Sequence, residues 1–291
     1  MLGILLVKKP KGLTSHDVVN DIRRRFGTRR VGHAGTLDPL ATGLLVVAVG
    51  PATRFLQYLP LEPKVYEADV RFGFSTNTYD AEGDLENERP VPEDLAGAIE
   101  AALPPFRGLI QQLPPMYSAI KVNGKALYKY ARKGEEAPVR EPRTVHISDF
   151  SPLSVGHCES RFLVVCSGGT YIRSLANDLG AAMGCGAYLA GLVRTQVGRF
   201  TLDQAVELSD ARPSDLISLE EALPPMPLIQ LDASQTENVR EGRMIGMGEP
   251  PASTLVALRE PSGAVFSVAR VTGNLLQPEC VIPAKVPDGV A

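Results

Sequence analysis

The chain has 291 residues, 44% of them hydrophobic and 22% charged, and a formal net charge of −3. That length and composition fit one large domain plus a small one and exclude a disordered chain. No apolar run reaches the roughly 18 residues of a membrane-spanning helix. The stretch Met1–Lys9 lacks a basic leader and a small-residue cleavage site, so it reads as a first strand and not a signal peptide. Cys158, Cys166, Cys185 and Cys280 form no C-x-x-C pair and the four histidines are scattered. A zinc site is therefore not expected, and a reduced, cytoplasmic chain is.

The charge is unevenly spread. Residues 1–37 carry eight Lys or Arg against Asp17 and Asp21, and residues 107–145 carry eight against Glu135, Glu136 and Glu141. Residues 201–291 reverse the balance, with six basic residues against thirteen acids. Local field steers a polyanion more than total charge does. On charge alone, the two basic segments also read as solvated helix faces.

In chain order, Ser15 is expected to cap a helix through Phe26, with Val18, Val19, Ile22 and Phe26 at helical spacing and Gly27 as a stop. Residues 64–74 alternate, which predicts a strand with Tyr66, Ala68, Val70 and Phe72 facing inward. The acidic, turn-rich residues 75–90 predict an exposed loop. Pro92 to Leu103 predicts a helix with Leu95, Ile99 and Leu103 on one face. A strand, an Asn123-Gly124 turn and a basic helical piece holding Tyr128, Tyr130, Arg132 and Lys133 follow Pro114-Pro115. Residues 143–150 and 160–167 read as strands. Gly168-Gly169-Thr170 leads to Tyr171-Ile172-Arg173 and a helix to Met183; if 171–173 is extended, Tyr171 and Arg173 share a face. Proline-rich sequence near residue 225 marks a boundary, and strands near 254–259 and 264–271 predict a small β-rich unit.

The stretch from Gly32 to Leu45, Gly-His-Ala-Gly-Thr-Leu-Asp-Pro-Leu-Ala-Thr-Gly-Leu-Leu, stands apart. Its glycines allow conformations closed to other residues. Asp38 is the only acid between Asp21 and Glu62, so any charge chemistry in this loop belongs to it. Taken alone, Asp38-Pro39 also reads as a helix cap and first turn.

This loop resembles the catalytic signature of the TruB-type tRNA pseudouridine synthases, and other family blocks follow in the right order. Lys9-Pro10-Lys11-Gly12-Leu13-Thr14-Ser15 is similar to the opening motif, and Lys64-Val65-Tyr66 with Thr78-x-Asp80-x-Glu82-Gly83 to the next block. Pro114-Pro115-Met116-Tyr117-Ser118-Ala119-Ile120-Lys121 with Gly124-Lys125-x-Leu127-Tyr128 resembles the RNA-gripping insertion. Gly169-Thr170-Tyr171-Ile172-Arg173-Ser174-Leu175 is similar to the late active-site strand. Ala34 departs from the hydroxyl residue of many relatives.

The resemblance implies an α+β pseudouridine synthase fold: a central mixed, mostly antiparallel sheet flanked by helices and loops. Residues 1–225 would be the catalytic domain, with 107–145 as the insertion, and 226–291 a PUA-like RNA-binding domain. It implies isomerisation of uridine 55 in the tRNA T loop by a monomer without cofactor, membrane or obligatory protein partner. By the same resemblance Asp38 is the catalytic aspartate and Arg173 its partner. Tyr66 stacks on the base, Tyr171 and Leu192 pack around it, and His33 fills the space of the flipped nucleotide. Lys9 meets phosphate or braces the loop. Without the resemblance, Tyr66, Tyr171 and Leu192 read as core residues, Arg173 as half of a structural ion pair, and Lys9 as a solvated turn lysine. An RNA-folding helper and a guide-RNA-dependent synthase remain alternative readings.

Overall fold

The computed structural model describes residues 1–118, 121–122, 124–127, 130, 139–249 and 251–284. The elements Asn123, Tyr128, Arg132 and Lys133 of the predicted basic turn and helix lie outside the described residues. Strand β1 (Gly3–Lys9) precedes helix α1 (Ser15–Arg25), and β2 (Val31–Ala34) and β3 (Thr42–Val49) flank the glycine loop. Then come β4 (Lys64–Phe72), the short hairpin β5 (Ser75–Thr76) and β6 (Leu85–Glu86), helix α2 (Leu95–Ala102) and β7 (Gly108–Gln112). The two-residue strands β8 (Lys121–Val122) and β9 (Lys125–Ala126) pair with each other. β10 (Arg143–Val155), β11 (Glu159–Cys166), helix α3 (Ile172–Ala182), β12 (Ala187–Val197), β13 (Phe200–Thr201) and β14 (Val206–Glu207) follow.

These strands build one large sheet in the order β14-β1-β3-β12-β4-β11-β10-β7, with β13 beside β12 and β2 beside β3. Only β1–β14 and β3–β12 are parallel, so the sheet is mixed and mostly antiparallel. β1 and β3 are apolar on both faces because both faces are covered. Ile4, Leu6, Leu44 and Val46 join one core, and Leu5, Val7, Leu45 and Val47 join another beneath Val18, Val19 and Ile22 of α1 and Phe26 at its C-terminal cap. A third core lies between the β4–β11–β10 side and helices α2 and α3.

A second, five-stranded sheet follows the proline-rich boundary. It comprises β15 (Leu228–Gln230), β16 (Ile245–Gly246), β17 (Leu255–Arg259), β18 (Val265–Thr272) and β19 (Leu275–Val281), ordered β15-β17-β18-β19-β16. Ala257, Val265, Val268 and Cys280 from it share a cluster with Leu6, Leu44 and Phe55. Arg54 Nη1 donates to Val281 O at 2.8 Å, and the Tyr58 hydroxyl donates to Glu279 at 3.2 Å. The small sheet is docked on the large one by a shared core, which offsets its modest size.

The structure corrects several expectations. Thr14, not Ser15, caps α1: its hydroxyl accepts from Asp17 N while the Asp17 carboxylate accepts from Thr14 N. Ser15 is buried and serves the loop instead. Asp94 caps the helix predicted from Pro92, which therefore starts at Leu95. The 75–90 segment is not simply exposed, since Thr76 and Asp80 are buried. The segment 171–173 is not extended throughout. Tyr171 alone is extended, as the N-cap residue, and Arg173 sits in the first turn of α3. The alternation of Tyr66, Ala68, Val70 and Phe72 stands as predicted.

Gly43 has φ +100°, and a Cβ there would lie 2.3 Å from Arg194 O. Gly43→Ala should therefore lower unfolding stability by roughly 2–4 kcal/mol through left-handed strain and overpacking. A urea midpoint unchanged from wild type would contradict the tight β3–β12 approach.

Candidate active site

β3 changes neighbours along its length. Val46–Val49 pair with β2, whereas Thr42 and Gly43 pair with Val193 and Arg194 of β12. The loop 35–41 leaves the sheet where these two ladders meet. Leu37, Leu40 and Ala41 anchor it in the third core, which turns Asp38 outward. Ser15 Oγ accepts from Leu37 N at 2.8 Å and donates to Leu37 O at 3.1 Å. Lys9 is only 1% exposed, and its Nζ donates to the carbonyls of Pro10, Leu13 and Pro39. It is a buried brace, not a solvated turn lysine. Burial lowers its pKa to about 8, with Asp38 the strongest opposing influence.

Arg173 forms an ion pair with Asp38, its Nε 2.9 Å from Oδ2 but without the alignment of a hydrogen bond. Its other nitrogens are committed: Nη1 donates to Thr78 O at 3.1 Å and Nη2 to Tyr117 O at 2.8 Å. Asp80 Oδ2 lies 3.6 Å from the same Nε. Asp80 is itself fixed by the Thr78 hydroxyl at 2.6 Å and by Glu82 N at 3.0 Å. One guanidinium thus serves two carboxylates. The Asp38 side chain stays 41% exposed on the cleft side while protein packs around the rest. Desolvation raises its pKa above the ordinary 3.8; Arg173 opposes this and Asp80 adds to it.

Above this pair opens a cleft of about 790 Å³. Asp38, His33, Tyr66, Tyr171, Arg173 and Leu192 all line it, with Lys9 beneath the loop. Asp38 is not a helix cap; its carbonyl accepts from Ala41 N in a turn. Tyr66 is buried at the cleft wall, and burial pushes its phenol above the usual range. His33 is half-buried, and desolvation, with Arg194 next, lowers its pKa, which favours the neutral imidazole at pH 7. The Tyr171 backbone is gripped by buried Gln112, whose Oε1 accepts from Tyr171 N at 2.7 Å and whose Nε2 donates to Tyr171 O at 3.0 Å. Among the described residues, no group of three His, Cys, Asp or Glu is placed to hold a metal ion.

Two polar residues that the sequence did not single out sit in this framework. Gln112 precedes the double proline and looks like a loop glutamine, so nothing local marks it. Arg194 gives a clearer signal, a charge inside the strand sequence Ala187–Val197, and it is completely buried. Charged residues are almost never buried without partners.

Residues 23–172 match the model described as "TruB family pseudouridylate synthase (N terminal domain)". Residues 173–224 match "tRNA pseudouridylate synthase B C-terminal domain". The chain belongs to the TruB family. It is 44% identical over 289 residues to tRNA pseudouridine synthase B of Thermobifida fusca strain YX, covering 96% of this chain and 98% of the relative. It is 43% identical to the protein of that name from Cupriavidus metallidurans, over 96% and 94% of the two chains. Among solved structures, a chain in the crystal structure of a Cbf5-Nop10-Gar1 complex superposes with a TM-score of 0.66 at 26% identity. That match covers 97% of this chain and 85% of that one. The TruB family match spans Asp38, Tyr66, Arg173 and Leu192, and the cleft brings these four together.

Lys9 gives a signed stability test. Its folded pKa of about 8 lies below the free value of 10.5, so the unfolded chain holds more protons between these limits. Wild-type stability should rise relative to Lys9→Met across that window, by roughly 1–3 kcal/mol. A pH-independent difference between the two unfolding curves would place Nζ in water.

Proposed function

We propose that this protein isomerises uridine 55 in the T loop of tRNA to pseudouridine, with Asp38 as its catalytic residue. The observation that carries this reading is the half-open Asp38 carboxylate, oriented by Arg173 at the floor of a cleft walled by Tyr66. The N1–C1′ bond breaks, the base turns, and C5 bonds to C1′; C5 gives up a proton and N1 gains one. The reaction needs no net redox change.

An ionised carboxylate can attack carbon or accept a proton, and both roles require the deprotonated form that Arg173 favours. Tyr66 offers a face on which the uracil stacks, a contact worth roughly 1–3 kcal/mol. Tyr171 and Leu192 close around the base. A T-loop uridine must leave its stack to reach Asp38, and His33, neutral and at the cleft edge, takes up the vacated space. Lys9 acts by bracing the loop from below. Residues 1–225 form the catalytic domain, 107–145 grip the RNA with their basic surplus, and 226–291 form a PUA-like RNA-binding domain. The enzyme acts as a cytoplasmic monomer without an obligatory protein partner.

Two other readings use the same fold. The Cbf5 chain of similar fold was crystallised with Nop10 and Gar1, which raises the guide-dependent reading. Near full-length similarity to relatives named tRNA pseudouridine synthase B supports the stand-alone reading over it. A pure RNA-folding helper has no use for a desolvated carboxylate paired with a buried Arg173.

Purified protein and an unmodified T-arm stem-loop test the reading, with nucleosides resolved by chromatography. Wild type should form pseudouridine without added protein or guide RNA. Asp38→Asn should form none while its RNA affinity stays within several-fold, because phosphate contacts carry much of the binding. Normal turnover by that variant would remove Asp38 from the chemistry. Tyr66→Ala should slow the chemical step and weaken base capture; an unchanged rate would return Tyr66 to a core role. Because the Asp38 pKa is raised, the single-turnover rate should fall with decreasing pH at a midpoint above 3.8. An acid limb at or below that value would contradict the desolvated carboxylate.

A further inference from the structure

β12 lies between β3 and β4, so a side chain at its middle can reach both the strand that carries the Asp38 loop and the strand that carries Tyr66. Arg194 holds that position. It pairs with Gly43 in the parallel ladder to β3 and with Tyr66 in the antiparallel ladder to β4. The residue is 0% exposed. Its Nε donates to Leu44 O at 2.8 Å, and its Nη2 donates to Gly35 O at 3.1 Å. Those carbonyls belong to the two stems of the loop, one before Asp38 and one after it.

The third nitrogen points to a further task. Nη1 is buried without a hydrogen-bond acceptor, and Arg194 lines the cleft. The guanidinium lies beside the Tyr66 hydroxyl and opposes the burial that raises its pKa. The phenol oxygen can accept from Nη1 after a small side-chain adjustment and leave its own proton to face the cleft. Cross-strand partners of this kind lie within side-chain reach.

We propose that Arg194 is a positioning residue of the reaction: one planar guanidinium fixes both stems of the Asp38 loop and the Tyr66 hydroxyl relative to one another. The proposal rests on the cleft being the pseudouridine-forming site. Arginine suits this role because its rigid fork holds two nitrogens on the loop carbonyls and offers the third in a fixed direction, whereas a lysine is a single point charge. Gly35, whose hypothetical Cβ would lie 3.4 Å from Nη1, leaves room for the guanidinium, and Gly43 lets the Arg194 backbone approach β3 closely.

Arg194→Lys keeps the charge and loses the fork. Its single-turnover rate on the T-arm stem-loop should fall by at least about 30-fold, since small misplacements of reacting groups are costly. Its Kd for the same RNA should stay within about threefold, because phosphate contacts are untouched. A merely structural role would lower the melting temperature and leave the rate intact well below it. A double-mutant cycle isolates the link to Tyr66: on a Tyr66→Phe background the same change should cost at least about fivefold less. Independent, multiplying effects would overturn the Tyr66 link, and an unimpaired Arg194→Lys rate would overturn the whole proposal. If Arg194→Lys does not fold, nitrogen-15 spectra of wild type and Tyr66→Phe decide: the Arg194 side-chain resonances should shift, and identical resonances would refute the contact. Wild type inactive on both the stem-loop and full-length tRNA would refute the functional reading itself. An active wild type with an active Arg194→Lys refutes only the role of Arg194.

Discussion

The ion pair between Asp38 and Arg173 is the constraint around which the cleft is arranged. Arg173 is almost wholly buried, and a buried cation stripped of its partner typically costs about 3–5 kcal/mol. The chain meets that demand with two carboxylates and two backbone carbonyls: Asp38, Asp80, Thr78 O and Tyr117 O. These four groups come from three separate segments. The same cation that holds Asp38 in place also draws 78–82 and Tyr117 to the cleft wall. Asp80 keeps Arg173 neutralised, so Asp38 can remain open on its outer side without leaving the cation unpaired.

That arrangement is possible because the loop beneath Asp38 is rigid for independent reasons. Leu37, Leu40 and Ala41 are planted in an apolar core. Ser15 clips Leu37, Lys9 caps three carbonyls, and Arg194 ties Gly35 to Leu44. Each device satisfies backbone groups that a loop inside a protein would otherwise leave unpaired. The burial of two cations, Lys9 and Arg194, costs desolvation energy that carbonyl contacts offset only in part. Sites that place charge at a defined point accept such costs, because a fixed dipole or cation need not reorganise when the substrate arrives.

The scaffold supplies the rest. Strands β1 and β3 are apolar on both faces, so they bury α1 on one side and the small C-terminal sheet on the other. The acidic C-terminal segment docks through apolar residues and a few pairs such as Arg259 with Glu220. Its negative charge therefore need not oppose the basic surplus of the first 37 residues and of 107–145.

Much of this was decided by sequence alone. The alternation at Tyr66, Ala68, Val70 and Phe72 defines its strand because side chains alternate across a sheet. The helical spacing of Val18, Val19, Ile22 and Phe26 defines α1, and the glycines and lone acid of 32–45 mark the loop that brings Asp38 to the cleft. Local pattern carries these features, so they are legible without coordinates. Other features depend on contacts between residues distant in the chain. Ser15 yields the cap to Thr14 because its hydroxyl is taken by Leu37, 22 residues away. Arg173 reaches Asp38 from the first turn of a helix, not from an extended strand, because α3 begins directly after Tyr171. Asp80 leaves an acidic, turn-rich segment to be buried beside Arg173, and Arg194 acquires its partners only when β12 is inserted between β3 and β4. A hydrogen bond or ion pair across such separations leaves no periodicity in the chain, so only the folded arrangement reveals it.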